Sequence, residues 1–595
     1  MSIGPLLPGR IPSSLVTRRI TENLSRTASL LTRLQDQIST GQKFFLPGES
    51  PAAALRTILL QSSLERREQL EANIRFDKSM LSASEAALAP VSDALNQARS
   101  FVLAGIGDSN GPEEKQAMAT EVASMIRSVV SSANTEFRGR YLFGGSQNAA
   151  PPFEILGDGS VRYNGDQFDI NSFVDTNLIL PNNLDGAVAF GAITPPVGTN
   201  LNPALSLSTK ISDLHGGLGV ELGVIQITVD DTVNPVQTVA VDVSSAETIG
   251  DLKTLIENAF AAGPATLTVD IDPGTNFGLR LTPSGGTVAV ADVGGGRTAK
   301  GLGIAAPASA TINGGDLDPR LTLLTRLADL NGGAGIGATA GNGLFVVNGQ
   351  KSGVVDISSA NTVEDLLNIL EGSNLDLMVG INEAGDGLAI WSRVSGANFS
   401  IGENNGTNAA GLGIRTFSGS TLLKDLNLGR GVPVNAVDAA GNPVPALVEI
   451  TRRDGSTTSI DLQGLKTVQD VLDAINAADP GVLTATLNAV GNGISIVDTS
   501  GTGPLTVAAG DVAAALGIEG TEPGPANTTP LVGKDVNPLQ ATGVLNLLVR
   551  LQSALQSGDN VELNRLEPLF SQEIQRFNRM RGELGSSLKT LEQLE

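Results

Sequence analysis

The chain has 595 residues, of which 41% are hydrophobic and 17% are charged, so it is long enough to form several globular domains. Its formal net charge is -23, and an acidic surface of this kind repels phosphate backbones and argues against a nucleic-acid partner. The absence of cysteine excludes disulfides and cysteine metal sites. No run of about 18 apolar residues occurs, so no membrane insertion is expected.

Residues that commonly support catalysis are scarce. His215 is the only histidine, and its place beside two glycines favours a turn residue over a metal ligand or a member of a Ser-His-Asp triad. The acid pairs Asp230-Asp231 and Asp270 with Asp272 could bind calcium, but they lack the ligand spacing of an EF-hand and are better explained as solvated turns. We therefore expect no enzyme activity and no cofactor or metal.

The N-terminal region predicts three helices, over about 13–40, 50–104 and 113–136. Apolar residues repeat at seven-residue intervals in the first two, which is the pattern of a coiled-coil seam. Gly41 is expected to stop the first helix, and Ser50-Pro51 to cap and start the second. The predicted seam residues are Ile20, Leu24, Leu31, Leu34 and Ile38 in the first helix and Ile74, Leu81, Leu88, Leu95 and Val102 in the second.

The C-terminal region carries a second set of seams. Leu563, Phe570, Phe577, Leu584 and Leu591 again repeat every seven residues, with Leu588 between the last two. Because two amphipathic seams far apart in sequence bury their apolar faces best against each other, we expect both chain ends to pack into one helical bundle.

Between the helical ends lies an internal repeat of about 100 residues. Each copy has an Asp-Leu pair, then a Thr-x-x-Asp sequence that predicts a capped helix, and finally Leu-Gly-Ile. The Thr-x-x-Asp sequences begin at Thr248, Thr362 and Thr467. Each copy is predicted to contain a strand, the capped helix, a strand, a hairpin and a strand, and Trp391 is expected on a strand of the middle copy as a core residue rather than a ligand-stacking one.

Four stretches resemble the flagellin superfamily, and within it the proteins that join hook to filament. They are Gln37-Ile38-Ser39-Thr40-Gly41-Gln42-Lys43, Gly48-Glu49-Ser50-Pro51-Ala52-Ala53-Ala54-Leu55, the run from Asn134 to Ser146, and Tyr163-Asn164-Gly165-Asp166. The repeats resemble the flagellin hook IN motif. The expected fold is therefore α+β and multidomain: a long coiled-coil-like helical bundle from both chain ends, with three small α/β repeat units inserted in the middle.

This resemblance implies a domain order. The chain would comprise an inner tube helix (1–45), the N-terminal part of a helical rod (46–146), a β-rich connection (147–203), three repeat units (204–306, 320–417 and 420–520) and the C-terminal part of the rod (538–595). Family members end in one further helix, which pairs with the first, so we expect either that the sequence is a fragment or that the inner tube is altered.

The resemblance also implies function and partners. The protein would be a secreted structural adaptor of the bacterial flagellum. Its partners would be the hook-side hook-associated protein, flagellin, further copies of itself in a ring, and an export chaperone of the flagellar type III apparatus. A filament flagellin with enlarged outer domains is the alternative, and an acidic surface adhesin is a more remote one.

Overall fold

The computed structural model describes residues 13–43, 48, 50–106, 111–192, 194, 198–337, 343–438, 440–524, 528–536, 539 and 541–595. These residues form two compact units. The first contains the described parts of 1–79 with 171–180 and 588–595, and the second contains the described parts of 80–170 and 181–587.

The structure is a mixture of long helices and small antiparallel sheets. The helices are α1 (Ser13–Thr40), α2 (Pro51–Ile106), α3 (Pro112–Ala133), α4 (Gly186–Phe190), α5 (Ile249–Phe260), α6 (Thr298–Gly301), α7 (Leu330–Gly333), α8 (Val363–Glu371), α9 (Asn408–Gly411), α10 (Leu426–Gly429), α11 (Val468–Ala478), α12 (Asp511–Ala515), α13 (Val544–Ser557) and α14 (Asn560–Leu594). The strands are β1 (Glu136–Phe137), β2 (Arg140–Tyr141), β3 (Phe153–Ile155), β4 (Val161–Tyr163), β5 (Asn171–Asp175), β6 (Leu178–Pro181), β7 (Val224–Asp230), β8 (Gln237–Asp242), β9 (Leu267–Ile271), β10 (Leu279–Pro283), β11 (Thr287–Asp292), β12 (Ala306–Ser309), β13 (Ile312–Asn313), β14 (Gly343–Asn348), β15 (Lys351–Asp356), β16 (Leu377–Ile381), β17 (Leu388–Ser392), β18 (Val394–Ser395), β19 (Phe399–Asn404), β20 (Leu447–Thr451), β21 (Thr457–Asp461), β22 (Leu483–Leu487), β23 (Val490–Gly491), β24 (Ile494–Asp498), β25 (Leu505–Val507), β26 (Gly520–Glu522) and β27 (Leu531–Val532).

The predicted helix starts and stops are largely confirmed. α1 ends at Thr40, and Gly41 follows with a φ of 70°, a conformation that glycine adopts without steric cost. α2 begins at Pro51, where the missing N–H leaves no bond unmade. Glu49, which belongs to the predicted capping stretch, lies outside the described residues.

One helix prediction needs correction. α3 ends at Ala133 rather than near 136, because the Asn134 side chain leaves the helix and bonds both the N–H and the C=O of Phe153. The C-terminal helical stretch is divided into α13 and α14 by Gly558, whose φ of 70° ends α13. The break after α3 thus depends on a contact with β3.

The second unit holds a helical core built from the later part of α2 with α3, α13 and α14. Arg99 on α2 pairs with Glu567 on α14 at 3.1 Å, and Glu85 pairs with Arg581, so these two helices run antiparallel side by side. A Cβ added at Gly105 would lie 3.0 Å from Leu555, so α2 passes very close to α13 there. Both chain ends thus contribute to one bundle.

Three further hydrophobic clusters lie in the second unit, in the middle of the chain. We call the stretches that form them the first segment (205–317), the second segment (321–414) and the third segment (417–536). The clusters extend past the predicted repeat limits, since Ile312 and Leu317 belong to the first and Leu531 and Val536 to the third. Leu201, which precedes the first segment, is part of the second cluster.

The three segments share one strand order. In each, an antiparallel hairpin is followed by a capped helix, a second hairpin and a strand that returns to pair with the first one. The main sheets are β8-β7-β11-β12, β15-β14-β19-β23 and β21-β20-β25-β26. The predicted helix caps are confirmed in all three. The side chains of Thr248, Thr362 and Thr467 each accept a bond from the N–H three residues on, and their own backbone N–H groups each donate to the carboxylate of the aspartate there.

Each segment also contains a left-handed turn stabilised by a side chain. The residues at this turn have φ angles of 52°, 53° and 54°, and their side-chain nitrogens lie 2.7–2.8 Å from a backbone carbonyl just before Leu-Gly-Ile. The pairs are His215 with Gly301, Asn331 with Gly411 and Asn427 with Ala515.

The segments are connected differently. β19 of the second segment pairs with β23 of the third, and β18 of the second pairs with β4, so the second segment is joined to two neighbours by strand pairing. The chain enters the first segment after Leu201 and leaves it before Leu321. The N–H of Leu201 donates to the carbonyl of Asp386, and the N–H of Leu321 donates to the neighbouring carbonyl of Gly385. The second segment is therefore the hub of this unit.

Candidate assembly surface

The first unit displays an apolar helix face. No residue of α1 is buried, and the predicted seam residues Ile20, Leu24, Leu31, Leu34 and Ile38 are 46–82% exposed. At 100° per residue these five side chains lie on one face, while Glu22, Ser29 and Asp36 lie on the other. The seam is therefore an uncovered surface in the single chain rather than a core.

The start of α2 has the same character. Its large aliphatic side chains between the helix start and residue 64 are 58–70% exposed. They are Leu55, Ile58, Leu59, Leu60 and Leu64. Such a concentration of exposed leucine and isoleucine is unusual for a soluble monomer.

A short hairpin extends this surface. β5 and β6 lie next to α2 in the first unit, where the Asn73 side chain donates to the carbonyl of Phe173 at 3.0 Å. Val174 is buried, whereas Phe173 and Ile179 are about half exposed. Because a two-stranded hairpin is only marginally stable alone, its contact with α2 is what holds it in place.

The remaining predicted seam residues lie in the protein interior. The α2 residues Ile74, Leu81, Leu88, Leu95 and Val102 are at most 3% exposed, and Phe570 and Phe577 on α14 are fully buried. Leu584 and Leu591 are buried and Leu588 is half-buried. In the single chain, then, the predicted seam divides into an exposed N-terminal part and a buried remainder.

The end of α14 carries charges that pair within the first unit. Lys78 lies 3.4 Å from Glu592 and 3.3 Å from Glu595, and Arg75 lies 3.5 Å from Glu595. These pairs are partly solvated, and such pairs contribute little to stability. They orient the helix ends more than they stabilise them.

The histidine and the acid pairs that could bind a metal occupy turns and ion pairs. His215 lies in the left-handed turn of the first segment, and Asp231 accepts bonds from the backbone of Val233 and Asn234. Asp270 pairs with Lys253 at 2.9 Å, and Asp272 accepts from the N–H of Gly274. In the part of the chain that the structure describes, no three His, Asp or Glu side chains are grouped so that they could share a metal ion.

One carboxyl group has a strongly shifted pKa. Burial raises the pKa of Asp185 to about 6, opposed by hydrogen bonds from the N–H groups of Ala187 and Val188 and reinforced by the charges of Asp169 and Asp166. Asp185 caps α4, where it accepts from the N–H of Ala187 at 2.8 Å.

Trp391 is half-buried on β17, the strand position expected for it, opposite Met378. Of the helices described, none has the length and apolar character that a bilayer span requires.

Comparison with known proteins finds relatives of the N-terminal region. Residues 13–148 match the bacterial flagellin N-terminal helical region. The chain is 23% identical over 186 residues to flagellar hook-associated protein 3 of Salmonella typhimurium and 21% identical over 186 residues to that of Escherichia coli. The matched stretch covers 31% of this chain and 58% of each of these curated relatives.

Solved structures also match parts of the chain. A crystal structure of FlgL from Xanthomonas campestris is 23% identical and matches with a TM-score of 0.20, over 30% of this chain and 62% of that one. Hook-associated protein 3 of Legionella pneumophila is 11% identical and matches with a TM-score of 0.32, over 90% of this chain and 93% of that one. Residues 13–148 thus match the bacterial flagellin N-terminal helical region, and over 186 residues the chain is similar to flagellar hook-associated protein 3.

Proposed function

We propose that this protein is a structural adaptor of the bacterial flagellum, which joins hook to filament through non-covalent assembly of its terminal helices. The observation that carries the proposal is the coincidence of two facts. The region related to flagellins includes α1, and α1 exposes its whole apolar face in the single chain.

The energetics favour assembly through this face. Fully burying a leucine or isoleucine side chain stabilises a complex by about 1.5–3 kcal/mol, and the α1 seam offers five of them. An isolated amphipathic helix is only marginally stable in water, so α1 gains both order and burial when it packs on a neighbour. We expect residues 13–40 to exchange their amide hydrogens rapidly in the monomer.

The partners follow from the same proposal. They are a hook-side hook-associated protein, flagellin, and further copies of this chain arranged in a ring, with an export chaperone covering the apolar helices before assembly. The protein would act outside the cell, in the flagellum. Stacking of this kind uses head-to-tail contacts, which propagate along a filament.

The middle of the chain would project from the helical part. The shared strand order and the capped helices support the interpretation of the three segments as flagellin hook IN motif repeats. We place their limits at 205–317, 321–414 and 417–536, because these limits include the complete hydrophobic clusters. The helical parts would then be the described residues up to 146 and those from 541.

The test uses cells that lack this gene. Such cells should build hooks and release flagellin into the medium, and the intact gene should restore filaments. The double variant Leu24→Asp/Leu31→Asp places two charges in the α1 seam and should fail to restore them.

Ser29→Asp is the matched control, because it places the same charge on the opposite, exposed face of α1. It should restore filaments. Normal filaments in the cells that lack the gene would contradict the adaptor role, and equal failure of both variants would show that the apolar face is not what matters.

A second candidate is a filament flagellin, because the family matched by residues 13–148 is named for flagellins. Copy number distinguishes the two functions. A junction ring needs few copies in each flagellum, whereas a filament needs thousands. Quantitative mass spectrometry of purified flagella would therefore decide between them.

A further inference from the structure

The turn at the start of the third segment departs from its two counterparts. The residue that follows the side-chain-stabilised position is Gly216 in the first segment, Gly332 in the second and Leu428 in the third. All three are left-handed, with φ angles of 65°, 68° and 58°. Glycine adopts this conformation freely, whereas a leucine there is strained, and such strain persists only where the surroundings impose it.

The surroundings of Leu428 are the helices of the bundle. Its carbonyl accepts a bond from Nη1 of Arg565 on α14 at 3.2 Å. Two residues later, Arg430 donates from Nη2 to Oε2 of Glu562, also on α14, at 2.9 Å. The strained turn is thus bonded to α14 through both its backbone and a side chain.

Glu562 is the centre of this contact. It is 7% exposed and receives two bonds from Arg565, at 2.8 and 2.6 Å, as well as the bond from Arg430. Nη1 of Arg550 on α13 lies 3.9 Å away. Burial alone would raise the pKa of Glu562, but the bonds from Arg565 and Arg430 and the charge of Arg550 lower it to about 2.

The same arginine reaches the second segment. Arg550 donates to the carbonyl of Ala397 at 3.4 Å and to the side chain of Asn398 at 3.2 Å. One turn earlier on α13, the Asn546 side chain accepts from the N–H of Gly396 at 2.7 Å. Helices α13 and α14 therefore hold the second and third segments through one connected set of polar contacts.

The counterparts of Arg430 in the other segments carry no charge. They are Leu218 in the first segment and Ala334 in the second. The first and second segments keep glycine at the strained position and have no arginine three residues after the turn asparagine or histidine. The strained leucine and the added arginine thus occur together, in the segment whose turn bonds to α14.

We propose that the turn Leu426–Gly431 and Glu562 form a clasp that fixes the orientation of the third segment on the helical bundle. Glu562 supplies a buried negative charge, and Arg430 of the third segment binds it. The left-handed conformation of Leu428 turns its carbonyl toward Arg565. Opening the clasp would leave the third segment attached through the pairing of β19 with β23, so that it can turn about this attachment while its own hydrophobic core stays intact. This device is independent of the proposed function, since it requires only that the segment and the bundle fold.

The experiment measures the orientation directly. The chain has no native cysteine, so spin labels attached at Thr484→Cys on β22 and Ser553→Cys on α13 are unique, and both positions are exposed. Pulsed dipolar spectroscopy then reports the distance between the third segment and the bundle. The intact clasp should give one narrow distance distribution.

Arg430→Met opens the clasp, because it removes the side chain that reaches Glu562, and it should cause loss of the single narrow distance. Leu428→Gly leaves the clasp closed, because glycine adopts the left-handed conformation freely and keeps the carbonyl that Arg565 bonds, so the distribution should stay narrow. Lys424→Met removes the same charge from an exposed residue nearby and should leave the distribution unchanged.

Hydrogen exchange of α11, a helix of the third segment, distinguishes reorientation of the segment from loss of its own fold. Unchanged α11 protection together with a broadened distance distribution would support the clasp. A narrow distribution in Arg430→Met would overturn the proposal, and so would a broadened one in Leu428→Gly. Loss of α11 protection in Arg430→Met would also overturn it, because the contact would then be part of the segment's own fold rather than a joint.

Discussion

His215 and Asn427 hold the same left-handed turn in two different segments, and the side chain of each bonds a backbone carbonyl that precedes Leu-Gly-Ile. The distances are 2.8 Å for Nε2 of His215 and 2.7 Å for Nδ2 of Asn427. Because a carbonyl can only accept, Nε2 of His215 must carry the hydrogen. The single histidine of the chain is thus a structural equivalent of asparagine.

This equivalence predicts the effect of substitution at 215. His215→Asn should keep the free energy of unfolding of the first segment within about 0.5 kcal/mol, because asparagine tolerates the left-handed region and supplies the same donor. His215→Ala should destabilise the segment by about 1–2 kcal/mol through loss of the bond and added strain. Urea unfolding of the two variants checks this, and an equal loss in both would contradict the equivalence.

The raised pKa of Asp185 predicts a dependence of stability on pH. The unfolded group ionises near pH 4 and the folded group near pH 6, so its ionisation costs stability as the pH rises through that interval. Asp185→Asn keeps a good helix cap and removes the cost. It should stabilise the protein by about 1–3 kcal/mol at pH 7.5 and have little effect at pH 4.

A second aspartate supplies the control for this measurement. The hydrogen bond from the Ser160 side chain lowers the pKa of Asp158, so its ionised form contributes stability that is present above pH 4 and lost on acidification. Asp158→Asn should therefore destabilise the protein at pH 7.5. Denaturant titrations at both pH values compare the two variants, and stabilisation by both at pH 7.5 would contradict the assignment.

The bundle predicts coupling between the two chain ends. Leu584 on α14 is 6% exposed, and truncating a buried leucine to alanine costs about 2–5 kcal/mol. Because α14 lies antiparallel to α2, Leu584→Ala should reduce hydrogen-exchange protection around Leu81 on α2. Arg579→Ala, an exposed change on the same helix, should leave that protection intact.

The first segment is expected to fold alone. Its cluster is complete within 205–317 and includes the fully buried Phe260, Leu252 and Leu281. Residues 205–317 expressed alone should unfold in one cooperative thermal transition. A fragment that stops at 306 lacks Ile312 and Leu317 and should melt at a lower temperature, and identical melting of both fragments would show that these two residues are not part of the core.

Much of the fold could be predicted because local chemistry determines it. Seven-residue apolar spacing predicted α1 and the buried seam of α2, and the Thr-x-x-Asp sequences predicted the caps of α5, α8 and α11. In these cases the residues that form the element also supply its periodicity or its capping bonds, so no distant partner is needed.

The rest depends on contacts between distant parts of the chain. The pairing of β19 with β23 joins two segments, and a strand that can accept a new neighbour has the same local pattern whichever strand it pairs with. The left-handed Leu428 carries no glycine to mark its turn, and the pKa of Asp185 is set by burial that only the folded chain creates. The exposure of the α1 seam is likewise a property of the folded single chain.

The N–H groups of Leu201 and Leu321 donate to the adjacent carbonyls of Asp386 and Gly385. The chain departs from the second segment and re-enters it at neighbouring points, so everything from 202 to 320 is attached like a domain inserted into a surface loop. Sites of this geometry tolerate insertion, deletion and exchange of whole domains. The first segment can thus be lengthened, shortened or replaced while the second segment keeps its own strand pairing.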